Sequence, residues 1–154
     1  MTLLTGRRGV TLVELLVVLG IIALVLGISV PGFSGYAQQL RLKTAIRQTM
    51  GLLSLARSTA ISSRTDHTVA FDAERQELTM TNVASGEVAE RVVKLPPTVT
   101  LEFQMGGEAA PEPKLTFRST GSLTGRTTSL VLSDKEHQHT ISVTGATGAV
   151  TVQD

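Results

Sequence analysis

Apolar residues follow one another almost without interruption near the start of the chain. From Leu15 to Leu40 there is no charged residue, and one acid, Glu14, stands immediately before this run. A helix that crosses the hydrocarbon core of a bilayer needs about 20 mostly apolar residues. The run is longer than that even with a kink at Pro31, so the sequence predicts a membrane-spanning helix over residues 10–36.

A cleaved secretory signal is the alternative explanation of this run. Arg7 and Arg8 precede it, as a basic region precedes the apolar core of a signal. However, the segment after the core, SVPGFSGYAQQ, is a poor match to the small-residue site at which signals are cut, and the run is longer than a usual signal core. We therefore favour a membrane helix that is retained or only trimmed at its N-terminus.

Between residues 37 and 64, apolar residues recur every three or four positions, which is the spacing of an amphipathic helix. They are Leu42, Ala45, Ile46, Met50, Leu53, Ala56, Ala60 and Ile61. The sequence thus predicts that the helix continues through residues 37–64, with one face packed on the rest of the protein. The charged residues of this segment are all basic, and we expect a solvated face from Arg41, Lys43, Arg47, Arg57 and Arg64.

From residue 65 onward the period of the pattern shortens towards two, and turn residues recur. Eight segments fit strands: HTVAFD, QELTMT, EVAERVVKL, VTLEFQ, KLTF, TSLVLS, HTISVT and GAVTV. GGEAAPEP, residues 106–113, has the composition of an exposed loop. The predicted fold class is therefore α+β, with a long N-terminal helix, one half transmembrane and one half amphipathic, packed on an antiparallel β-sheet head over residues 65–154.

Composition limits the functions that this fold could serve. The 154 residues suffice for one domain, and the absence of cysteine excludes a disulfide scaffold and a Cys-based zinc site. An aromatic content of 3% without tryptophan argues against a base-stacking surface. The net charge of +1 conceals a basic helix and a head in which acids outnumber bases. Because basic residues lie on both sides of the apolar run, charge alone leaves the orientation of the membrane helix undetermined.

The start of the chain, RRGVTLVELLVVLGIIALVLGISVPGF, resembles the class III leader of type IV prepilins and type II secretion pseudopilins. The resemblance rests on Gly9, Thr11, Glu14 and the apolar helix in one register. It departs at Val10, where the family most often has phenylalanine. LARSTAISSRTDHTVAFD and TISVTGATGAVTV are similar to segments of GspH/FimT-type pseudopilins and minor pilins, which implies a pilin-like fold.

This resemblance implies how the chain is processed and where it lies. Residues 1–9 would be a leader that a prepilin peptidase cleaves between Gly9 and Val10 on the cytoplasmic side, with N-methylation of Val10. Residues 10–36 would then cross the inner membrane once. The head would lie in the periplasm or outside the cell, which resolves the orientation that charge leaves open.

Glu14 has two compatible interpretations. A carboxylate beside an apolar medium is costly unless it is paired, so it is a candidate functional residue. In the family that the leader resembles, this acid is thought to attract the α-amine of a neighbouring subunit and to set the axial register of assembly. Thr11-Leu12-Val13-Glu14 also fits a capping box, in which Glu14 satisfies backbone donors at a helix start.

The head offers only weak candidates for chemistry. His137 and His139 lie two residues apart and could share a metal on one face of a strand, but SDKEHQH is more typical of a polar turn that leads into a strand. Asp66, His67 and several serines suggest a hydrolase triad only on paper, since no G-x-S-x-G motif is present, and we interpret His67 as a strand-start residue. TGSLTGR lacks a phosphate-loop pattern. We therefore expect no enzymatic activity, no cofactor and no metal.

The favoured hypothesis is a minor pseudopilin or pilin that assembles into, or primes, a type II secretion pseudopilus or a type IV pilus. Its partners would be the prepilin peptidase, other pseudopilins or pilins, the assembly platform and the membrane. The alternative is a minor pilin that captures DNA through Arg118 and Arg126, but the acidic balance of the head makes nucleic acid an unfavoured partner. A membrane-tethered hydrolase ranks last, and the sequence does not choose between the two filaments.

Overall fold

A computed structural model describes residues 10–86 and 88–153, and for residues 28–36 it describes the backbone alone. The helix α1 spans Leu12–Ser63. In the described part of the chain, no helix combines the length and the apolar character that a membrane crossing requires.

The chain divides into two units, and the boundary falls between Ala37 and Gln38, inside α1. The first unit holds the apolar start of the helix, where the side chains of residues 10–27 are exposed. Leu12 is 74% exposed and Leu24 is 66% exposed. The chain itself therefore covers little of this apolar surface.

The second unit holds the rest of α1 and the strands. Here α1 presents a buried stripe whose members recur every three or four residues, as the amphipathic pattern predicts: Leu42, Ala45, Ile46, Thr49, Leu52, Leu53, Ala56 and Ala60. Arg41, Lys43, Arg47 and Arg64 are exposed, as expected for a solvated face. Arg57 is half-buried, and that part of the expectation is wrong for a reason given below.

Nine strands follow α1 within the described residues. They are β1 (His67–Asp72), β2 (Glu77–Asn82), β3 (Ala89–Lys94), β4 (Thr100–Met105), β5 (Glu108–Ala109), β6 (Lys114–Phe117), β7 (Thr128–Ser133), β8 (Gln138–Val143) and β9 (Val150–Gln153). A short 3₁₀ helix, Val83–Ser85, lies between β2 and β3. The strands form two antiparallel sheets, in the orders β3-β2-β1-β6 and β5-β4-β7-β8-β9.

The buried faces of both sheets meet the stripe of α1 in one core. In the first sheet, Val69 of β1 lies opposite Met80 of β2 and Leu115 of β6, and all three side chains are buried. In the second sheet, Leu130 of β7 has Phe103 on one side and Ile141 on the other. These side chains and the helix stripe belong to a single hydrophobic cluster, so the predicted packing of the helix on an antiparallel β head is confirmed.

The predicted strands agree closely with the structure. β1, β6 and β7 have the predicted bounds, and the other five lie within two residues of prediction at each end. The loop prediction for GGEAAPEP is wrong at β5, because Glu108 and Ala109 pair with the end of β4. Gly106 and Gly107, with φ of +67° and +91°, make the tight turn that folds the chain back. Period-two reasoning cannot detect a strand of two exposed residues.

Arg57 joins α1 to two loops of the head. Its Nε donates hydrogen bonds to the carbonyl oxygens of Gly121 and Thr147, each at 3.1 Å. The two loops, residues 118–127 and 144–149, approach each other closely at Gly148, where φ is +62° and a Cβ would lie 1.9 Å from the Gly121 oxygen. We call Arg57, Gly121, Thr147 and Gly148 the arginine clamp. The hydrogen bonds to these two carbonyl oxygens explain why Arg57 is half-buried, whereas the other basic residues of the helix are exposed.

Gly148→Ala is expected to lower the free energy of unfolding by at least about 2 kcal/mol, since it adds backbone strain to a clash with main-chain atoms. Urea denaturation of the full chain in detergent micelles, followed by circular dichroism, measures the change. Gly106→Ala is the matched control, because it has a similar φ but no described atom within 4 Å of its Cβ, and it should cost only about 1 kcal/mol. Equal losses in the two variants would contradict the close approach of the loops.

Candidate functional site

The start of α1 is capped by Thr11. Its hydroxyl oxygen accepts a hydrogen bond from the backbone N–H of Glu14 at 3.2 Å, and its carbonyl oxygen accepts one from the N–H of Leu15 at 3.1 Å. Thr11 is therefore the N-cap residue, and Glu14 is the third residue of the helix. The helix begins where it does because this hydroxyl satisfies an amide that has no intrahelical partner.

In a complete capping box the Glu14 carboxylate would accept a hydrogen bond from the backbone N–H of Thr11. The observed environment of the carboxylate is different. Among the described residues it accepts no hydrogen bond and forms no salt bridge, and the residue is exposed. The Thr11 half of the capping box is thus present, and among the described residues the bond from the Glu14 carboxylate back to the backbone is not. A negative charge in the first turn is still favoured by the helix dipole. The side chain therefore presents an acid, without a partner in the described part of the chain, at the edge of a mostly apolar surface.

The residues around this acid are either exposed or outside the described region. Val10 precedes the helix and is 72% exposed. Gly9 and the predicted leader, residues 1–9, lie outside the described residues. The predicted cleavage and methylation positions, Gly9 and Val10, therefore stay predictions from the sequence.

His67 and Asp66 serve the packing of the head. His67 opens β1 and is fully buried, with Nδ1 3.0 Å from the carbonyl oxygen of Thr65 and Nε2 3.1 Å from a carboxylate oxygen of Glu90. Asp66 accepts a hydrogen bond from the backbone N–H of Ser119 at 2.9 Å. Both side chains are held by structural contacts, and the interpretation of His67 as a strand-start residue is confirmed.

His137 lies in the turn between β7 and β8, as the polar-turn interpretation predicts, and His139 is the second residue of β8. His137 precedes β8, and its Nε2 is 3.2 Å from the amide nitrogen of Gln39. Both histidines line a pocket of about 220 Å³ with Gln39, Leu42 and Lys43. Within the described residues, no three His, Asp or Glu side chains come together in a way that could hold a metal ion.

Asp134 organises that turn. The backbone N–H groups of Glu136 and His137 donate hydrogen bonds to one of its carboxylate oxygens at 2.8 and 2.7 Å. These two bonds lower the pKa of Asp134 from its usual value, and the nearby His137 ring adds to the effect. The sequence suggested a polar turn, but only the folded geometry identifies this carboxylate as its organising group.

Arg118 and Arg126 lie in the loop between β6 and β7, and both are exposed. Arg118 donates from Nε to the hydroxyl of Thr124 at 3.4 Å. The arginine clamp brings Arg57 of α1 to the same loop, because the carbonyl of Gly121 lies between the two exposed arginines in sequence. Sequence analysis missed Arg57 as a residue of interest, since its spacing matches a solvated helix face.

With this geometry established, comparison with known proteins identifies the family. A family model described as "Type II transport protein GspH" matches residues 45–147, which is more than half of the chain. The chain belongs to this family. A second model, "Prokaryotic N-terminal methylation motif", matches residues 4–30, the segment that carries the leader resemblance. The comparison with curated proteins gave no match.

Solved structures share the fold of this GspH-family protein. The type IV minor pilin FimU of Pseudomonas aeruginosa has a TM-score of 0.63 and 18% identity, over 77% of this chain and 92% of that chain. The minor pseudopilin EpsH from the type 2 secretion system of Vibrio cholerae has a TM-score of 0.59 and 20% identity, over 73% and 96%. The predicted pilin-like fold is confirmed, and the protein is a minor pseudopilin or pilin of the type II secretion or type IV pilus class. These comparisons lend DNA uptake no specific support.

Asp134→Asn is expected to destabilise the protein at neutral pH. A lowered folded-state pKa means that the charged carboxylate stabilises the fold above its unfolded pKa of about 3.9, and this contribution is lost as the pH falls through the folded-state pKa. The difference in unfolding free energy between variant and parent should thus shrink as the pH falls from about 5 to about 3. Urea denaturation across this range measures it, with Glu136→Gln in the same turn as the control. A difference that does not vary with pH would contradict the role of the charge.

Proposed function

We propose that this GspH-family subunit is cleaved between Gly9 and Val10, is methylated at the new N-terminus, and enters a secretion pseudopilus or type IV pilus through Glu14. The observation that carries the proposal is the exposed carboxylate of Glu14, which has no partner among the described residues and lies at the edge of an exposed apolar helix surface. The match of residues 4–30 to the N-terminal methylation motif supports the processing step. No enzymatic step is required, because the protein acts through its position in an assembly.

The chemistry of the pairing follows from the new N-terminus. Cleavage before Val10 creates an α-ammonium group, and N-methylation leaves its positive charge in place. An ammonium of one subunit and the Glu14 carboxylate of the next attract strongly in a medium of low dielectric constant. Apolar contacts between leucine and valine side chains have no comparable direction, so they would allow neighbouring helices to slide. The ion pair would therefore set the axial register.

The exposed apolar surface of residues 10–27 supports two successive environments for this part of the helix, first the membrane and then the packed helices of a filament. A contiguous exposed apolar surface of this length is normally buried against lipid or another protein. We propose that lipid covers residues 10–36 before assembly, with a single pass of the inner membrane, and that helices of sibling subunits cover them afterwards. The head from residue 65 would then lie in the periplasm or outside the cell. Recruitment by the inner-membrane assembly platform would join these two states.

Glu14→Gln is expected to reduce incorporation into the filament by at least about tenfold, because removing one member of a buried charge pair typically costs about 2–5 kcal/mol. Leader cleavage and membrane insertion should stay at parental levels. Quantitative immunoblotting of sheared filament and membrane fractions from the native host measures both. Glu102→Gln, which changes an exposed glutamate of β4, is the matched control. Parental incorporation of Glu14→Gln would overturn the role of the carboxylate.

Gly9→Leu is expected to trap the unprocessed chain, because a bulky side chain replaces the small residue at the cleavage junction. Intact-mass measurement of protein from host membranes should find a parental chain that begins at methylated Val10 and a variant that retains residues 1–9. Gly6→Leu, in the same leader but away from the junction, should be processed normally. Normal processing of Gly9→Leu would refute the peptidase assignment, whatever the result for Glu14.

A further inference from the structure

In the part of the chain that the structure describes, the arginine clamp engages only one of the donor groups of Arg57. A guanidinium carries five N–H donors, and the single donor on Nε is shared by the carbonyl oxygens of Gly121 and Thr147 at 3.1 Å each. Among the described residues, the four donors on the two Nη atoms form no hydrogen bond, and no carboxylate pairs with this arginine. The side chain is half-buried, so water compensates its charge less well than it would on an open surface.

Arg57 lines a pocket of about 380 Å³ that has a polar side and an apolar side. The wall residues are Ser54, Ser58, Ile61, Gly148, Ala149 and Val150. The two serine residues lie on α1 beside Arg57, while Ile61, which is 44% exposed, gives the pocket an apolar side. The arginine is held at its base by two main-chain groups that come from positions distant in sequence. Its free edge is therefore pre-oriented at little entropic cost.

The geometry points to a binding site for one carboxylate, supplied by an aspartate or glutamate of a neighbouring subunit. The edge of a guanidinium that carries two Nη atoms matches the two oxygens of a carboxylate in a bidentate pair. The apolar side of the pocket would accept the methylene groups of the same acidic side chain. This inference rests on the proposed function, because it requires that the head be packed against another protein in the assembly.

A nucleic acid fits this pocket less well than an acidic side chain does. Binding to a phosphate backbone draws on several cations spaced along a surface. Among the described residues one guanidinium lines this pocket, and the head as a whole carries more acids than bases. Arg118 and Arg126 flank the Gly121 loop and add to the local positive potential, which favours an approaching acid.

Replacing Arg57 itself would also break the clamp, so the test uses Ser54, which lines the pocket three residues earlier on α1. Ser54→Glu introduces a carboxylate at the i,i+3 position, where it can pair with Arg57 and occupy the same donors. Ser54→Gln has the same shape without the charge. Neither variant removes the Nε bonds to the two loops, and equal urea-denaturation midpoints would verify that the fold is retained.

The first measurement follows the Arg57 side-chain N–H signals of the isotope-labelled full chain in detergent micelles by NMR. Sodium acetate is the probe, titrated against sodium chloride at equal ionic strength. We expect a saturable shift in the parent and in Ser54→Gln, and loss of that shift in Ser54→Glu. Absence of a saturable shift in the parent, or an equal shift in Ser54→Glu, would overturn the site. A larger response to duplex DNA than to acetate would assign the pocket to nucleic acid and would overturn it as well.

The second measurement separates this site from the proposed function. In the native host, Ser54→Glu should lower filament incorporation while Ser54→Gln does not, and leader cleavage should be equal in both. Glu14→Gln should lower incorporation while leaving the acetate response of Arg57 intact. If Ser54→Glu assembles as well as Ser54→Gln, the carboxylate site has no role in assembly even if Glu14 is required.

Discussion

The head depends on one constraint, which is that one face of a helix and the buried faces of two sheets must close a single core. Each sheet contributes buried apolar side chains, such as Val69 in the first and Leu130 in the second, that need apolar partners. The stripe of α1 from Leu42 to Ala60 supplies the missing surface, and the side chains of both sheets join it in one cluster. Small residues on the stripe, such as Ala45 and Ala56, are fully buried, which is the condition for close approach of the strands. Loss of this packing would expose both sheets at once.

The arginine clamp shows how the same helix also orders the loops. The apolar stripe positions α1, but it does not dictate the path of residues 118–127 or 144–149. Arg57 fixes both by hydrogen bonds to main-chain oxygens, and glycine at 148 allows the two loops to come closer than any side chain would permit. Burial of apolar surface is non-directional and does not select one loop conformation. The hydrogen bonds of Arg57, at the edge of the core, select the observed conformation of both loops.

The beginning of α1 obeys a different requirement. The side chains of residues 10–27 are exposed and mostly apolar, and an apolar surface of this kind marks a site of contact with a partner or a membrane. Thr11 completes the cap, which leaves the Glu14 carboxylate without a structural task among the described residues. Our proposal that Glu14 acts in assembly rests on this lack of a partner among the described residues and on the exposed apolar surface beside the acid. Only the atomic positions show that the Thr11 side chain makes the capping hydrogen bond and that the Glu14 side chain makes none among the described residues.

Local patterns in the amino-acid sequence predicted α1, eight of the nine described strands and the family. Periodicity placed α1, the bounds of β1, β6 and β7, and the buried face of the helix, because local spacing encodes which side of an element meets a core. The short motif around Gly9 and Glu14 indicated the leader class for the same reason, since its residues are neighbours in the chain. The strand β5 was missed because its two exposed residues are too few for a periodic pattern. Only the folded structure shows the order of the strands in the two sheets and the clamp at Arg57. Those features join residues up to 90 positions apart, and local pattern carries no information about which distant carbonyl will meet a given side chain.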